Sequence, residues 1–570
     1  MRENNKKKKA SVLGVFKFAF SIMNRKEKLT FFMLLLAYSV LGIVLLIPAQ
    51  VTAILVSLIA HETTTLFGFA IPSDINIVLL IVICAFLDLL PQVLVNLLGF
   101  SKNRFCQKIY LKAKELAFDW ATTPRKNLNL GMTIGDATYR INNSISDLEH
   151  TLRDFFDTIV PSLILAISSA IYIITAEVWS IPILLVGLAL VYIVYLVRQK
   201  IELPITLNVE KQESRLNNFL VNTLGNLPLI NIFKSQKHEK NNLTDRTKEY
   251  AKATKKQFYL WCFYWLITNS ISILSTYSII LICSGRLQSG QISATTIVLI
   301  LSYVVNVFAP VQDMGWFIMQ ATQLMSKINR LKDLQPTDDT IIDTSKDNYQ
   351  KPIEKITLKD VRVVNGDDTV IDNINFTISK GELTVVTGES GGGKTTSLRA
   401  LIGIAEREKG EIIINDEYSA NSMYSFIDRM AIVLQSPFIF NRDVKDNIYY
   451  PSIEKIENSD SIISDLHMEK IVDKKFDESY EQEMELMLSG GEKKRICVLR
   501  ALLQEKEVYI FDEPTNELDA ENTETVLNYI NQLKNNAIVM VVTHDKRMID
   551  RADKVVKINN AVKTTKIITA

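Results

Sequence analysis

Two kinds of hydrophobic pattern divide this chain. Up to about residue 325, apolar residues come in long runs, roughly 30–60, 76–100, 157–176, 179–198, 258–284 and 292–318. A bilayer core needs about 20 apolar residues per helix, so each run predicts one membrane span. The first run is longer than the hydrocarbon core requires and is expected to tilt or project into water. Beyond about residue 335 the runs shorten. There, 356–364 and 370–378 alternate as half-buried strands do, and 383–387 reads as a buried strand.

The polar stretches between the spans set their orientation. Residues 61–75 hold no Lys or Arg, nor does the 175–180 turn, and the fifth connection has only Arg286. The stretches 101–156 and 199–257 are crowded with both. By the positive-inside rule, these basic stretches and both termini are expected in the cytoplasm. Leu216, Phe219, Leu220 and Leu224 fall at helical spacing. The spans should therefore continue as helices past the membrane, meet a cytoplasmic partner and return.

Some polar residues sit inside the apolar runs. A carboxylate at mid-bilayer costs about 2.5–3.5 kcal/mol, so it rarely faces lipid. Asp88, followed by Pro91, Gln92 and Asn96, is read as lining a polar cavity. Asp313, after Pro310, fits a cavity or a helix end. Trp261, Tyr264 and Trp265 open the fifth span and are expected to be interfacial anchors.

Composition adds bounds. At 570 residues the chain needs at least two domains, and its net charge of +1 says little because the charges are unevenly placed. Cys84, Cys106, Cys262, Cys283 and Cys497 show neither disulfide nor zinc spacing and read as small buried hydrophobes. Lys6 to Lys9 lack the short apolar core and cleavage site of a signal peptide, and read as a cytoplasmic basic tail.

The second half carries its chemistry at strand ends. Gly388, Glu389, Ser390, Gly391, Gly392, Gly393, Lys394, Thr395 and Thr396 fit G-x-x-x-x-G-K-[ST], between a strand and the helix expected over 396–402. Glycines let such a loop bend sharply and bring its N–H groups close to phosphates. Lys394 would reach the β- and γ-phosphates, and the Thr395 hydroxyl would ligate Mg²⁺. Residues 508–511 form a hydrophobic strand ending in Asp512 and Glu513. Asp512 would hold Mg²⁺ through its water shell, and Glu513 would polarise the attacking water. Gln435, ending the strand 430–434, is a candidate for Mg²⁺ or for sensing the γ-phosphate, and His544, after 537–542, for touching that phosphate. Ser489, Gly490, Gly491 and Glu492 then open a helix, where backbone N–H groups make an anion site. A second phosphate-binding turn implies that another copy's ATP is gripped.

Taken in order, these elements place the chain among known proteins. Residues 351–555 resemble the nucleotide-binding domain of an ABC transporter. The match runs through the Walker A loop (388–396), Q-loop (Gln435), signature (488–492), Walker B (508–513), D-loop (516–519, which adds Asp519 to the ATP-binding set) and H-loop (His544). Six spans fused ahead of it resemble the half-transporters of the exporter-type fold. Residues 131–140 are similar to that class's first intracellular-loop motif, and 219–234, with Asn222, Thr223, Gly225 and Asn226, to its second. Three departures stand out. Around Val363 to Asn365 the chain lacks the ring that many relatives stack on adenine, worth about 1–3 kcal/mol, so weaker or less base-selective ATP binding is expected. Glu492 replaces the commoner Gln, and Asn516 and Glu517 replace Ser-Ala. Little of the usual tail helix follows Ile558.

The expected fold is thus a multidomain membrane protein, an all-α six-helix transmembrane domain followed by an α/β P-loop domain. Its parts are a cytoplasmic segment 1–29, the six-span domain 30–330, a linker 331–350 and the nucleotide-binding domain 351–570. The resemblance implies a dimer with ATP and Mg²⁺ sandwiched between Walker A of one chain and the signature of the other. Because Glu513, His544 and the signature are intact in one chain, a homodimer is favoured, with a heterodimer left open. Export of an amphipathic peptide, drug or lipid-like molecule is the leading reading. Import of a metal chelate such as a siderophore on the same fold is the runner-up. An ATP-gated channel or sensor is the third, opposed by the intact Glu513 and His544. The six spans argue against a soluble nucleic-acid partner. Spans two, five and six would line the cavity, with Gln92, Asn96, Asn269, Ser272, Thr276 and Gln312 as polar candidates, although the Thr, Ser and Tyr residues of span five fit helix–helix hydrogen bonding equally well. The expected home is a bacterial cytoplasmic membrane, with the nucleotide-binding domain in the cytoplasm.

Overall fold

The computed structural model describes residues 12–59, 65–66, 69–70, 77–125, 134–289, 291–337, 341–342, 347–365, 368–389, 391–405, 407–452, 459–475, 487–559 and 564–569. It forms two compact units, Met1–Ala121 with Gly131–Gln335, and Thr122–Leu130 with Pro336–Ala570.

The first unit is helical because long apolar segments in lipid must satisfy their backbone groups internally. Its elements are α1 (Val12–Ile22), α2 (Arg25–Val44), α3 (Ile47–Ile59), a small hairpin β1 (Thr65–Leu66) and β2 (Phe69–Ala70), and α4 (Ile77–Thr122). There follow α5 (Ile134–Asp154), a π-turn (Phe155–Ile159), α6 (Val160–Ala176), α7 (Ser180–Gly225), α8 (Leu227–Ile232), α9 (Gln236–Gln288) and α10 (Ala294–Leu331). Among the described residues, six helical segments are long and apolar enough to span a membrane, and each overlaps one expected run. The chain is a multi-pass integral membrane protein. An α-helix rises about 1.5 Å per residue. The helix α7 has 46 residues. Its length is therefore about 69 Å, more than twice a bilayer core of about 30 Å. The spans do continue as helices beyond the membrane.

Several details differ from the sequence reading. The long first run is broken at a turn between α2 and α3, next to Pro48, which has no N–H to continue the ladder. Residues 12–22, expected as part of a plain cytoplasmic segment, form α1, with Val15, Phe18 and Ala19 buried. Tyr264 is no interfacial anchor: it is buried, with the Arg198 guanidinium 4.1 Å from its ring centre. Ser272 and Thr276 are likewise buried, and Thr276 donates to the Ser272 carbonyl at 2.8 Å. They belong to the seam between α7 and α9, where small residues let helices approach closely. At Gly187 in that seam, an added Cβ would stand 2.7 Å from the Ser275 hydroxyl oxygen. Asp88, Gln92 and Asn96 recur every four residues on one exposed face of α4. Asn269 is half-buried and donates to the Trp265 carbonyl, and Asp313 is half-buried on α10. The side chain of Gln312 and the segment 131–133 lie outside the described residues.

The second unit is built on a six-stranded sheet of order β12-β11-β5-β10-β9-β8. These strands are β5 (Leu383–Gly388), β8 (Met430–Val433), β9 (Val508–Asp512), β10 (Ile538–Val542), β11 (Lys554–Asn559) and β12 (Thr564–Thr569). All pair in parallel except the edge strand β12, which forms where a tail helix was the family expectation. A second, antiparallel sheet has the order β4-β3-β6-β7, from β3 (Lys355–Asn365), β4 (Asp368–Ser379), β6 (Lys409–Ile414) and β7 (Tyr418–Ala420). Side chains alternate across the parallel strands, as a pleated backbone requires. Val386, Ile510, Met540 and Val542 join the core under the antiparallel sheet. Val385, Tyr509, Phe511, Val539 and Val541 join a second core with the helices Gly490–Leu502 and Ala520–Leu533. A parallel sheet covered on both faces leaves its strand ends as the free surface. Ligands in such folds gather at the carboxyl ends of the strands.

Candidate functional site

The parallel sheet presents its expected residues on those carboxyl ends. In the ladder, Val386, Val542 and Asp512 stand side by side, so the segments leaving β5, β10 and β9 emerge at one level. After β5 comes the glycine-rich loop, closed by the helix Lys394–Leu401. Gly393 has φ +90°, and a Cβ there would lie 2.3 Å from the Ile371 side chain, so no larger residue fits this turn. The Lys394 ammonium donates to the carbonyls of Gly388 at 2.8 Å and Glu389 at 3.0 Å, which holds it across its own loop. Ser390 lies outside the described residues.

Across the strand ends, Thr395 Oγ1 donates to Asp512 Oδ2 at 3.4 Å. Asp512 is buried, and burial together with the neighbouring Glu513 charge holds its carboxyl above the usual value. A hydroxyl and a buried carboxylate facing each other form the hard oxygen set that Mg²⁺ takes. Glu513 follows with φ +46°. This left-handed conformation costs a side-chain-bearing residue about 1–2 kcal/mol. Its N–H donates to Val542 O at 2.8 Å, so the bend is tied to the neighbouring strand. Its carboxylate is then held at both oxygens. Thr543 Oγ1 donates to Oε2 at 3.0 Å, and His544 Nδ1 lies 2.8 Å from Oε1. A carboxylate acting as a base only accepts, so that role requires the His544 tautomer with its proton on Nδ1. The structure thus brings His544 to Glu513, which spacing along the chain could not show.

Gln435 is exposed just past β8, and its main chain is held from behind. Lys494, 1% exposed, donates to the Gln435 carbonyl at 2.9 Å and to the Leu434 carbonyl at 3.3 Å. Burial pushes this ammonium's pKa down from its ordinary value. Neither Lys494 nor Thr543 was read from the sequence. A signal existed for Lys494, which falls on the buried stripe with Cys497, Val498 and Ala501 at helical spacing.

The signature turn folds as a capping box, in which side chain and main chain satisfy each other reciprocally. Ser489 Oγ accepts from Glu492 N at 3.3 Å, and Glu492 Oε2 accepts from Ser489 N at 2.7 Å. Glutamate serves this box as well as glutamine does, which accounts for that departure. Gly490 and Gly491 pack on the D-loop: a Cβ on Gly490 would meet Glu517 Oε2 at 2.1 Å, and one on Gly491 would meet Glu517 O at 2.8 Å. Asp519, expected among the ATP-binding residues, accepts from Asn522 N at 2.8 Å as the N-cap of the helix Ala520–Leu533. The signature helix packs against β8 and the helix Val444–Tyr449, whereas the phosphate loop leaves β5, three strands further in. Val363, where a stacking ring was sought, is buried in the core; residues 366–367 and the side chain of Asn365 lie outside the described residues.

Comparison with known proteins agrees with this geometry. The family model of the ABC transporter transmembrane region matches residues 39–311, and that of the ABC transporter itself matches 371–516, together well over half of the chain. The chain belongs to the ABC transporter family. It is a half-transporter, with one transmembrane region and one nucleotide-binding domain fused in a single chain. Over 343 residues this transporter is 26% identical to the heterocyst differentiation ATP-binding protein HepA of Nostoc, covering 59% of this chain and 56% of that one. The chain thus spans little more than half the length of that relative. Against the multidrug resistance-like ATP-binding protein MdlA of Buchnera aphidicola, identity is 23% over 468 residues, 80% of each chain. A solved bacterial Atm1-family ABC exporter with ATP bound superposes with a TM-score of 0.79 over 94% of both chains at 17% identity, which shows the exporter fold.

Proposed function

We propose that this chain is half of a dimeric ATP-driven exporter, in a bacterial cytoplasmic membrane, for an amphipathic peptide, drug or lipid-like molecule. The observation that carries the reading is the Glu513 carboxylate, held at one oxygen by Thr543 and at 2.8 Å from His544 at the other. That is a hydrolysis-competent arrangement, in a chain that also provides six membrane helices. The likeness to the multidrug resistance-like protein MdlA and to the Atm1-family exporter points the same way.

In this reading Lys394 and the N–H groups from Glu389 to Thr396 cradle the phosphates. Thr395, Gln435 and Asp512 would hold Mg²⁺, which supplies neutralisation of phosphate charge. Glu513 takes the proton of the attacking water, positioned by Thr543 and His544. Ser489, Gly490, Gly491 and Glu492 of a second copy close over the nucleotide. ATP favours the closed dimer by contacts that the open form lacks, and hydrolysis releases it. Every one of these parts is intact in one chain, which supports a homodimer.

The test is ATP hydrolysis by the purified chain alone in lipid, wild type against Glu513→Gln. Activity that collapses in the variant supports a self-sufficient homodimer. ATP binding without hydrolysis points to a second chain. ATP-dependent uptake into inside-out vesicles marks export, and uptake into right-side-out vesicles marks import.

A further inference from the structure

A cavity of about 650 Å³ lies within the helical unit, walled by α5, α7, α9 and α10. Its lining runs from Phe258, Trp261 and Trp316, at the cytoplasmic ends of the runs 258–284 and 292–318, to Glu213, 15 residues past the end of the run 179–198. The cavity therefore starts at the level of the inner lipid–water interface and extends about 22 Å along α7 towards the cytoplasm.

Its charge is opposite to that of its surroundings. The stretch 199–257 is crowded with Lys and Arg, yet Lys200, Lys211 and Arg215 are absent from the wall, and Glu202, Glu210 and Glu213 line it. These three lie on one face of α7, since residues three, four, seven, eight and eleven apart share a helix face. Asp147 is a fourth carboxylate of the lining, and Lys327 is its ammonium. Two carboxylates are matched by cations of their own: Asp147 by Lys327 at 2.6 Å, and Glu202 by a fork from Arg198 at 2.6 and 3.0 Å. Glu210 meets Arg330 at 3.8 Å, too long for a hydrogen bond. Among the described residues, no ion pair or hydrogen bond joins Glu213. Lys327 and Arg330 act on Glu210, and Lys327 on Glu213, through the field alone. The cavity thus holds two carboxylates without a hydrogen-bonded cation of their own, three residues apart on one helix.

The same cavity carries three aromatic rings, Phe258 and Trp261 from α9 and Trp316 from α10, 57%, 39% and 46% exposed. Ring faces attract cations, Trp most strongly, and offer flat apolar area to a hydrophobic body. Carboxylates beside aromatic rings match a molecule that is both positively charged and greasy. The cytoplasmic leaflet's negative surface potential also concentrates such molecules at the membrane end of the cavity.

We propose that this cavity is the loading site for a bulky organic cation, its charge between Glu210 and Glu213 and its apolar body against Phe258, Trp261 and Trp316. This rests on the transport reading above and narrows its substrate to amphipathic cations. An acidic peptide or an anionic chelate meets the wrong sign.

Tetraphenylphosphonium and tetraphenylborate, matched in size and opposite in charge, are suitable probes. Full-length protein in zwitterionic nanodiscs is dialysed against each without nucleotide, and binding to empty discs is subtracted. The cation should bind about tenfold more tightly than the anion. Glu210→Gln with Glu213→Gln should abolish that preference, and Trp316→Ala should weaken cation binding several-fold while Trp316→Phe retains most of it. Equal binding of the two ions, or tighter binding of the anion, overturns the assignment. If the double variant fails to fold, judged by lost ATP binding, the wild-type comparison alone decides. Hydrolysis in the same discs separates the two readings. ATPase activity that depends on Glu513 without any cation preference sinks the cavity assignment and leaves transport standing. Cation preference without hydrolysis supports the cavity and sinks the self-sufficient homodimer.

Discussion

The ammonium of Lys494 donates to the carbonyl of Gln435 at 2.9 Å, so the helix behind the signature turn fixes the Q-loop of its own chain. A charged donor buried on two carbonyls is a demanding contact. Its removal leaves both acceptors unpaired, worth about 1.5–3 kcal/mol for a hydrogen bond to a charged group. Lys494→Met should therefore lower the melting temperature and cut kcat for ATP about tenfold, with a smaller change in KM. Lys494→Gln keeps a donor and should recover part of kcat. A purely structural lysine would give lower stability with an unchanged kcat per folded molecule.

The clamp on Glu513 predicts non-additivity. Thr543→Val removes the hydroxyl on Oε2 and His544→Ala the ring on Oε1, so each should lower kcat with little effect on ATP affinity. Glu513→Gln should cost the full value of a general base, about 10²–10⁴-fold. Residues that act as one unit do not add. Thr543→Val placed on Glu513→Gln should cost almost nothing more, as single-turnover kinetics can show.

What could be read ahead of the structure follows the range over which each signal acts. Membrane spans and the phosphate loop are local patterns, complete within about 10 to 30 residues, and were legible as written. The clamp joins residues 30 and 31 positions apart, through the parallel pairing of β9 with β10. The Q-loop contact joins residues 59 apart. Neither separation leaves a periodic trace. Tyr264 was misplaced for a related reason. An aromatic residue at a span's end resembles an interfacial anchor until a partner helix supplies Arg198 beneath it. Ser272 and Thr276 show the same limit, since polarity in a span cannot tell a cavity from a helix seam.

The D-loop glutamate predicts a charge effect at the signature. Glu517 lies against Gly490 and Gly491, at the N-terminus of the helix Gly490–Leu502, where a phosphate of another copy's ATP would bind. A carboxylate near a helix N-terminus interacts with it by about 0.3–1 kcal/mol. Glu517→Ala should lower the ATP concentration for half-maximal hydrolysis about two- to fivefold at low salt, with the difference shrinking at high salt. A tighter half-saturation that ignores salt would refute the charge mechanism. The same packing orders the glycines. Gly490→Ala displaces a mobile carboxylate, whereas Gly491→Ala strikes main chain. The second change should destabilise more, by about 1–3 kcal/mol.

The last prediction concerns acid stability and rests on Glu507. Burial alone would raise this carboxyl's pKa, but two bonds from Arg429, at 2.6 and 2.9 Å, and one from Ile353 N, at 2.6 Å, outweigh it and hold it below the usual glutamate value of 4.5. A carboxyl whose folded pKa is depressed binds its proton more readily in the unfolded chain. The stabilisation is therefore fully present above that ordinary value of 4.5, which the unfolded chain shows, and fades as pH falls through the lower folded value. The side chain keeps 38% of its exposure, so solvent screens the pair. About 1 kcal/mol is at stake. Glu507→Gln should lower the melting temperature at pH 7 by a few degrees. Between pH 5 and pH 3 it should lose less stability than wild type, because it has no such proton to bind. Parallel curves for the two proteins over that interval would show that the Arg429 fork leaves Glu507 unshifted.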